Sequence, residues 1–283
     1  MEQVNVPAIV ANTGLPLVHL LLARHELDEA QRHLQRIQPI VESLDLYLYL
    51  AQLQWGLAKL QTAQGHLPQA QASYERILAS WKTTDDTVVI LPILLDGIVL
   101  HAETGNRVKA RQWLAELAAV VQVADNPVGV AALREAQGVV HAREGQLTQA
   151  IEELRQAVEA WGTLKRGYQQ ALAAQRLAEV LLARARTEAV GRAAKQAARE
   201  DAERLLDQAL AVYERLQIPT GIQAVQALRC STHRDAQQKP PRTVATRQRA
   251  ALAQRPSDPG SDILAAIKCP APNQLAEPPA REA

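Results

Sequence analysis

Regularly spaced histidines are the residues of this 283-residue chain that come nearest to a chemical motif. His101 and His141 occupy the same position in successive sequence repeats, and each precedes a glycine by four residues. Equivalent side chains of stacked helical hairpins lie about 10 Å apart, the distance between packed helix axes. A metal ion would need closer convergence and a third ligand, and Gln61 takes the same position one repeat earlier. We interpret both histidines as partly buried packing residues and expect no metal site.

Other groups capable of catalysis lack an arrangement that would activate them. Glu152 and Glu153, like Asp85 and Asp86, are adjacent carboxylates, a pattern typical of solvated helix faces or helix caps. No nucleophile elbow surrounds a serine, and the chain has no G-x-x-x-x-G-K-[ST] loop to cradle phosphates. The sequence therefore predicts no catalytic residue and no cofactor site.

The elements that carry these residues repeat along the chain with a constant period. Gly65, Gly105 and Gly145 are evenly spaced, and His25 stands where an earlier glycine would fall. An alanine follows each position by five residues, and a large apolar residue follows that alanine by four: Ala30, Ala70, Ala110 and Ala150, then Leu34, Tyr74, Leu114 and Leu154. A fixed period of about 40 residues indicates a solenoid. Each unit is predicted to be a helical hairpin whose glycine ends the first helix in a left-handed conformation.

Composition favours an all-α protein, because helix formers dominate and aromatic residues make up 3% of the chain. The formal net charge of +1 indicates no overall preference for nucleic acid or acidic partners. Cys230 and Cys269 share no metal-ligand spacing, and we expect a reduced, cytoplasmic protein. We recognise neither a signal peptide nor an apolar run long enough for a transmembrane helix, so we expect neither secretion nor a membrane span.

The repeated order of small residue, glycine, alanine and large apolar residue resembles the tetratricopeptide (TPR) pattern. On this register the first helices carry Ala58, Gly138 and Ala178 at the small-residue position, while Ile98 interrupts the series. The period exceeds that of the usual TPR unit, and the proline that often closes such a unit is missing. HEAT-type repeats, with a similar period, are the structural alternative.

Long units of this kind resemble the MalT-like helical region of LuxR-type ATP-dependent transcriptional regulators. The phrases at 126–161 and 202–219 carry the resemblance most clearly, and it covers about residues 14–230. It implies a right-handed TPR-like superhelical solenoid of about five helical hairpins. The predicted helices are 14–24, 27–41, 44–64, 67–81, 87–103, 107–123, 127–143 and 147–161, then a fifth hairpin centred on Ala202 and a final helix from Pro219 to about Leu228.

Two segments depart from the repeat. Residues 184–200 lengthen the fifth hairpin beyond the common period and are predicted to extend its helices or form an exposed arm. Residues 231–283 hold eight of the 15 prolines, so this Pro/Arg-rich tail is predicted to be disordered and separate from the repeat domain of residues 1–230.

Solenoids of this type bind partners along a concave groove. On the TPR register the first helices direct eight side chains towards that groove: Gln52, Trp55, Thr62, Glu103, Glu135, Arg143, Gln175 and Glu179. Trp81 and Trp161, at matched ends of second helices, are interpreted as covers of the loops between repeats. The apolar segment 15–23 at the end of the solenoid is a candidate surface for a homo-oligomer or an upstream domain.

The resemblance implies a non-catalytic scaffold that binds a protein or peptide, acting as the sensor or interaction arm of a bacterial LuxR-type regulator. The ATPase and helix-turn-helix sequences of that family are not found here. One alternative is a sensor for a small-molecule inducer, with a pocket near Trp55, Glu135 and Arg143. Another is a DNA-binding regulator acting through the basic segment 229–255, although direct nucleic-acid binding is not expected without a separate helix-turn-helix domain.

Overall fold

The computed structural model describes residues 6–84, 86–124, 126–187 and 191–237, with side chains described as far as Ser231. Every regular element within these residues is an α-helix. The helices in order are α1 (Val6–Ala23), α2 (Leu27–Leu44), α3 (Tyr47–Ala63), α4 (Leu67–Trp81), α5 (Ile90–Glu103), α6 (Arg107–Val123), α7 (Pro127–Arg143), α8 (Leu147–Thr163), α9 (Gly167–Arg186), α10 (Arg192–Leu216) and α11 (Pro219–Gln237). The chain divides into two compact units, Met1–Gln226 and Ala227–Ala283.

The first unit is a stack of five helical hairpins, from α1–α2 to α9–α10, in which each hairpin packs on the next. The repeated alanines lie where paired helices approach each other, and none is more than 1% exposed: Ala30, Ala70, Ala110 and Ala150, with Ala202 in the fifth hairpin. A methyl group at each crossing permits close approach of the two helix axes. The prediction of an all-α solenoid of about five hairpins is confirmed.

The predicted glycine turns have the expected backbone. Gly65, Gly105 and Gly145 have φ of 79°, 80° and 81°, and His25 takes the same left-handed region with φ 62°. The residue after each turn donates its N–H to a carbonyl five residues earlier; for example, Asn106 donates to His101 O at 2.8 Å. This bond closes a Schellman-type helix end. The backbone turn thus accounts for the recurrence of the glycine.

The closest contact inside the third hairpin involves two residues that the predicted register did not select. Gly97, and not Ile98, makes the close approach to α6: a Cβ at Gly97 would lie 2.2 Å from the Trp113 ring. Trp113 is 2% exposed, whereas the predicted core residue Leu114 is only partly buried. A bulky indole of α6 thus packs against a glycine of α5, which leaves room for the ring because it has no Cβ.

Several predicted boundaries are corrected by the structure. α1 begins at Val6 instead of residue 14, and α11 continues to Gln237 instead of ending near Leu228. The extra residues at 184–200 do extend the fifth hairpin, because α9 reaches Arg186 and α10 begins at Arg192. α5 begins at Ile90 instead of residue 87, and Asp86 Oδ1 accepts the Val88 N–H at 2.9 Å just before it. The tail predicted to be disordered begins at residue 231, but residues 231–237 belong to α11. Asp85 and the rest of that tail, residues 238–283, lie outside the described residues.

The expectation that the chain has no apolar run of transmembrane length is wrong. α1 is long and apolar enough to cross a membrane, as judged by length and composition alone. Membrane spans, signal sequences and core helices share these properties. In this structure one face of α1, including Leu15, Val18 and Leu22, is buried against α2 and α3. The opposite face leaves Val6 and Ile9 at least half exposed.

Candidate functional site

A partly enclosed cavity of about 560 Å³ lies on the concave side of the first unit. The first helix of every hairpin contributes to its wall, because α1, α3, α5, α7 and α9 all face inward. Its apolar wall includes Leu20, Leu91, Leu95 and Leu172, and the indoles of Trp55 and Trp161 also line it. A volume of this size is within the range of pockets that bind small molecules.

The two ends of the solenoid meet at this cavity. His19, Leu20 and Ala23 of α1 line it together with Leu216 and Ile218 at the end of α10. Arg24 Nε donates to the Leu216 carbonyl oxygen at 3.3 Å, across 192 residues of sequence. A cation at a helix C-terminus is favoured by the helix dipole. The two ends of the solenoid therefore narrow the concave groove expected from the repeats into a partly enclosed cavity.

One side of the cavity holds a cluster around Asp96, here called the Asp96 cluster and consisting of Asp96, Trp55, Lys59 and His19. Trp55 Nε1 donates to Asp96 Oδ2 at 2.8 Å, and Lys59 Nζ donates to the same oxygen at 3.1 Å. The Lys59 ammonium lies 5.1 Å from the centre of the Trp55 ring, a cation–π distance. Burial lowers the pKa of Lys59, but Asp96 and Tyr168 outweigh this effect and the net shift is upward.

His19 completes the Asp96 cluster. Its ring centroid lies 4.1 Å from that of Trp55, at an interplanar angle of 44°. Both ring nitrogens are buried and have no hydrogen-bond partner among the described residues. Burial, reinforced by Lys59 and opposed by Asp96, lowers the pKa of His19 to about 4. The imidazole is therefore neutral at physiological pH, with one donor and one acceptor nitrogen.

The other side holds a second cluster, here called the Glu135 cluster and consisting of Glu135, Trp161 and Arg176. Glu135 is 1% exposed; its Oε2 accepts the Trp161 Nε1–H at 2.7 Å, and its Oε1 forms an ion pair with Arg176. Burial raises the pKa of Glu135, while Arg176 and Trp161 act in the opposite direction. A buried carboxylate of this kind requires both partners, since an unpaired charge is costly in a low-dielectric interior.

The structure places the eight predicted concave residues at different depths. Trp55 and Glu135 line the cavity itself. Thr62 and Glu103 line an adjoining pocket of about 250 Å³, and Arg143, Glu179 and again Glu103 line another of about 170 Å³. Gln52 lines none of these three. Gln175 turns away from the cavity, because its Oε1 accepts the Tyr213 hydroxyl at 3.0 Å and its Nε2 donates to Glu179.

The sequence interpretation missed several residues that build the cavity. Asp96 and Arg176 share one repeat position, directly after the position that Trp55, Glu135 and Gln175 share, and the sequence analysis did not select it. Lys59 and Tyr168 also line it. The apparent signal was a charged residue near the same position of α5, α7 and α9: Asp96, Glu135 and Arg176.

The loop-covering interpretation applies to only one of the two matched tryptophans. Trp81 Nε1 donates to the Asp86 carbonyl oxygen in the loop before α5, as that interpretation expects. Trp161 is 3% exposed and holds Glu135 in the cavity wall, so the interpretation is wrong there. The difference arises because an acceptor carboxylate is within reach of Trp161 on the neighbouring first helix.

The paired histidines do not converge on a ligand. His101 is 1% exposed and packs edge-on against Trp113, with ring centroids 5.3 Å apart. Within the part of the chain that the structure describes, no three His, Cys, Asp or Glu side chains lie together as a metal site would require. What His101 and His141 share is their carbonyl groups, which accept the bonds that close the glycine turns.

No family model and no curated protein matches the chain. Among solved structures, the Rap protein complexed with competence and sporulation factor has a TM-score of 0.51 at 11% identity, over 80% of this chain and 72% of that one. A Podosopora anserina protein described as a kinesin light chain with nearly identical TPR-like repeats has a TM-score of 0.46 at 18% identity, over 75% and 97%. BtubC (BKLC) from P. vanneervenii has 0.44 at 15%, over 88% and 96%.

At such low identities these similarities concern the fold alone. The stacked hairpins and the similarity to the Rap protein together identify the chain as a TPR-like helical solenoid. The TPR-like fold class predicted from the repeated glycines and alanines is thereby confirmed.

Proposed function

We propose that this TPR-like chain is a non-catalytic binding scaffold that holds its ligand inside the concave cavity and so acts as a sensor or interaction arm. The observation that carries the proposal is the closure of the groove by its own ends. Arg24 contacts the Leu216 carbonyl, and α1 and α10 line one cavity of about 560 Å³. An enclosed apolar volume with a few polar groups is the usual form of a ligand site.

The polar groups of the cavity favour binding over catalysis. Asp96 and Glu135 are each engaged by an indole N–H and a cation, which leaves neither poised as a general base. Such paired charges hold the wall in one geometry, so a ligand meets a preorganised surface.

The closed shape also bears on the size of the ligand. A small molecule or a short peptide fits a cavity bounded by both ends of the solenoid better than a continuous protein segment does. The Rap protein, which shares this fold at a TM-score of 0.51, is complexed with a factor. That complex supports, by analogy only, ligand binding by this chain.

A second candidate function is binding of a protein partner along the open part of the concave face. The pocket lined by Glu103, Arg143 and Glu179 favours it, because Glu103 and Arg143 are exposed and opposite in charge. A partner with complementary charges would bind at this rim, with affinity that falls as salt is added.

We further propose that the chain serves as the sensor arm of a bacterial LuxR-type transcriptional regulator. It is supported by the resemblance of residues 126–161 and 202–219 to the MalT-like helical region. Reading the genomic DNA on both sides of this frame tests it. An adjoining ATPase or helix-turn-helix sequence would support the proposal, and unrelated flanking genes would contradict it.

A thermal-shift screen with metabolites and short peptides tests the cavity as the binding site. The variant Ala23→Trp places an indole at the junction of the cavity and the adjoining pocket. The matched control Ala119→Trp carries the same change at an exposed position on α6. We expect ligands that stabilise the wild-type chain and the control to have no effect on Ala23→Trp. Equal stabilisation of all three proteins would refute the cavity as the site.

A further inference from the structure

The cavity wall is largely apolar, with its polar groups concentrated around two carboxylates. Apolar atoms form most of the surface, and leucines of α1, α5, α9 and α10 contribute to it. A ligand that fills this volume therefore needs an apolar body, because burying unpaired polar groups against such a wall is unfavourable. The chemistry of its polar end depends on which groups of the wall remain available.

The charges of the wall do not cancel. Lys59, Arg166 and Arg176 line the cavity as cations, and Asp96 and Glu135 line it as anions. Lys59 neutralises Asp96 and Arg176 neutralises Glu135. Arg166 is exposed and forms no ion pair with any other described residue. One positive charge is thus left over, and it favours an occupant with a single negative charge.

Unused hydrogen-bond donors face the same space. Lys59 has three ammonium hydrogens and Asp96 takes one of them. Tyr168 also lines the cavity, and burial, as the largest cause, raises the pKa of its hydroxyl, so the hydroxyl stays protonated and able to donate. His19 stacks on the same indole that Lys59 approaches, and neither of its nitrogens has a partner among the described residues. These donors come from α3, α9 and α1.

We propose that the cavity binds one amphipathic carboxylic acid, with its apolar body against the leucine wall and its carboxylate accepting from Lys59, Tyr168 and His19. This inference rests on the proposed function and names the class of ligand. A cationic amphiphile would face Lys59 and the surplus positive charge. A neutral apolar molecule would leave the His19 N–H unpaired, at a cost that a carboxylate removes by accepting from it.

Dodecanoate, dodecanol and dodecylammonium test the head group, because they share one apolar body and differ in charge. Each is titrated into the full chain below its micellar concentration, with calorimetry and tryptophan fluorescence as readouts, since Trp55 and Trp161 line the cavity. We expect dodecanoate to bind about tenfold or more tighter than dodecanol, which corresponds to one ion-paired contact. We expect no measurable binding of dodecylammonium.

Two variants test the donors. Lys59→Met and Tyr168→Phe are each expected to weaken dodecanoate binding about tenfold while leaving dodecanol binding unchanged. Tyr168→Phe is the milder change, and it keeps the test valid if Lys59→Met destabilises Asp96. The matched control is Lys109→Met on α6, which removes an exposed ion pair with Glu75 of α4. This variant is expected to bind dodecanoate like the wild-type chain.

The outcomes separate this inference from the function on which it rests. Equal binding of dodecanoate and dodecanol, or an unchanged preference in both donor variants, would overturn the carboxylate inference and leave the cavity as a binding site. A short apolar peptide that bound more tightly with an amidated than with a free C-terminus would also overturn it. Undiminished binding of dodecanoate to Ala23→Trp would refute both the inference and the proposed function.

Discussion

The Asp96 and Glu135 clusters both neutralise a carboxylate in the cavity wall, but the two carboxylates are buried to different extents. Each neutralises a carboxylate with an indole N–H and a cation, yet the Asp96 side chain is 29% exposed and that of Glu135 is 2% exposed. Trp55 and Lys59 reach Asp96 from the preceding first helix, whereas Arg176 reaches Glu135 from the following one. A carboxylate, an indole N–H and a cation therefore occur in both clusters, but different helices of the repeats contribute them.

This difference assigns distinct roles to the clusters. A carboxylate as buried as Glu135 cannot exchange its partners for water, so its ion pair fixes α7, α8 and α9 relative to one another. Asp96 and Lys59 remain partly accessible, and neutral His19 lies beside them. We expect the Glu135 cluster to matter chiefly for stability and the Asp96 cluster chiefly for binding.

Removing the cation of the Glu135 cluster is expected to have the largest effect. Arg176→Met leaves a buried carboxylate without its ion pair, and we expect a loss of about 3–5 kcal/mol in the free energy of unfolding. Urea unfolding followed by circular dichroism measures it. Arg155→Met, at an exposed ion pair with Asp201, is the control and should change stability by less than about 0.5 kcal/mol. Similar losses in the two variants would contradict the assigned role of Glu135.

The two tryptophans provide a second test. Trp161→Phe removes the donor to the buried Glu135 carboxylate, and we expect a loss of about 1.5–3 kcal/mol, typical of a hydrogen bond to a charged group. Trp55→Phe removes the donor to Asp96, where water can replace it, so we expect less than about 1 kcal/mol. The comparison uses thermal or urea unfolding at one pH. A larger loss for Trp55→Phe would reverse the proposed order of the clusters.

The smallest effect on stability is expected at Lys59. Its ion pair with Asp96 is partly exposed, so Lys59→Met should cost about 0–1 kcal/mol. The same variant should nevertheless weaken ligand binding, because it removes a donor that faces the cavity. Unfolding and binding measured on one preparation separate the two effects, and a loss as large as that of Arg176→Met would show that both clusters are structural.

The sequence predicted the repeats well because a local turn defines them. A residue with positive φ at Gly65, Gly105 and Gly145 ends each first helix, and the bounds of α4, α6 and α7 follow directly. The period also selected Trp55 and Glu135, and both line the cavity. These features depend on a few neighbouring residues, which a single sequence displays.

What the sequence did not predict depends on contacts between distant residues. Asp96 is held in the cavity wall by Trp55 and Lys59, which lie 41 and 37 residues earlier in the chain. Arg24 and Leu216 lie 192 residues apart, so their contact depends on how all five hairpins stack. No local sequence pattern encodes a contact between the two ends of the solenoid. The sequence therefore predicted an open groove where the structure has a partly enclosed cavity.

The most direct test of the closed cavity is the titration of His19 by nuclear magnetic resonance. Carbon-labelled histidine distinguishes the seven rings, and the signal missing from His19→Leu identifies this one. We predict that His19 titrates with a pKa of about 4. Because this value lies below that of the unfolded chain, the stability conferred by neutral His19 is complete above about pH 6.5 and is lost as the pH falls towards 4. A pKa near the ordinary value of about 6.5 would show a solvated ring and would contradict the closed cavity.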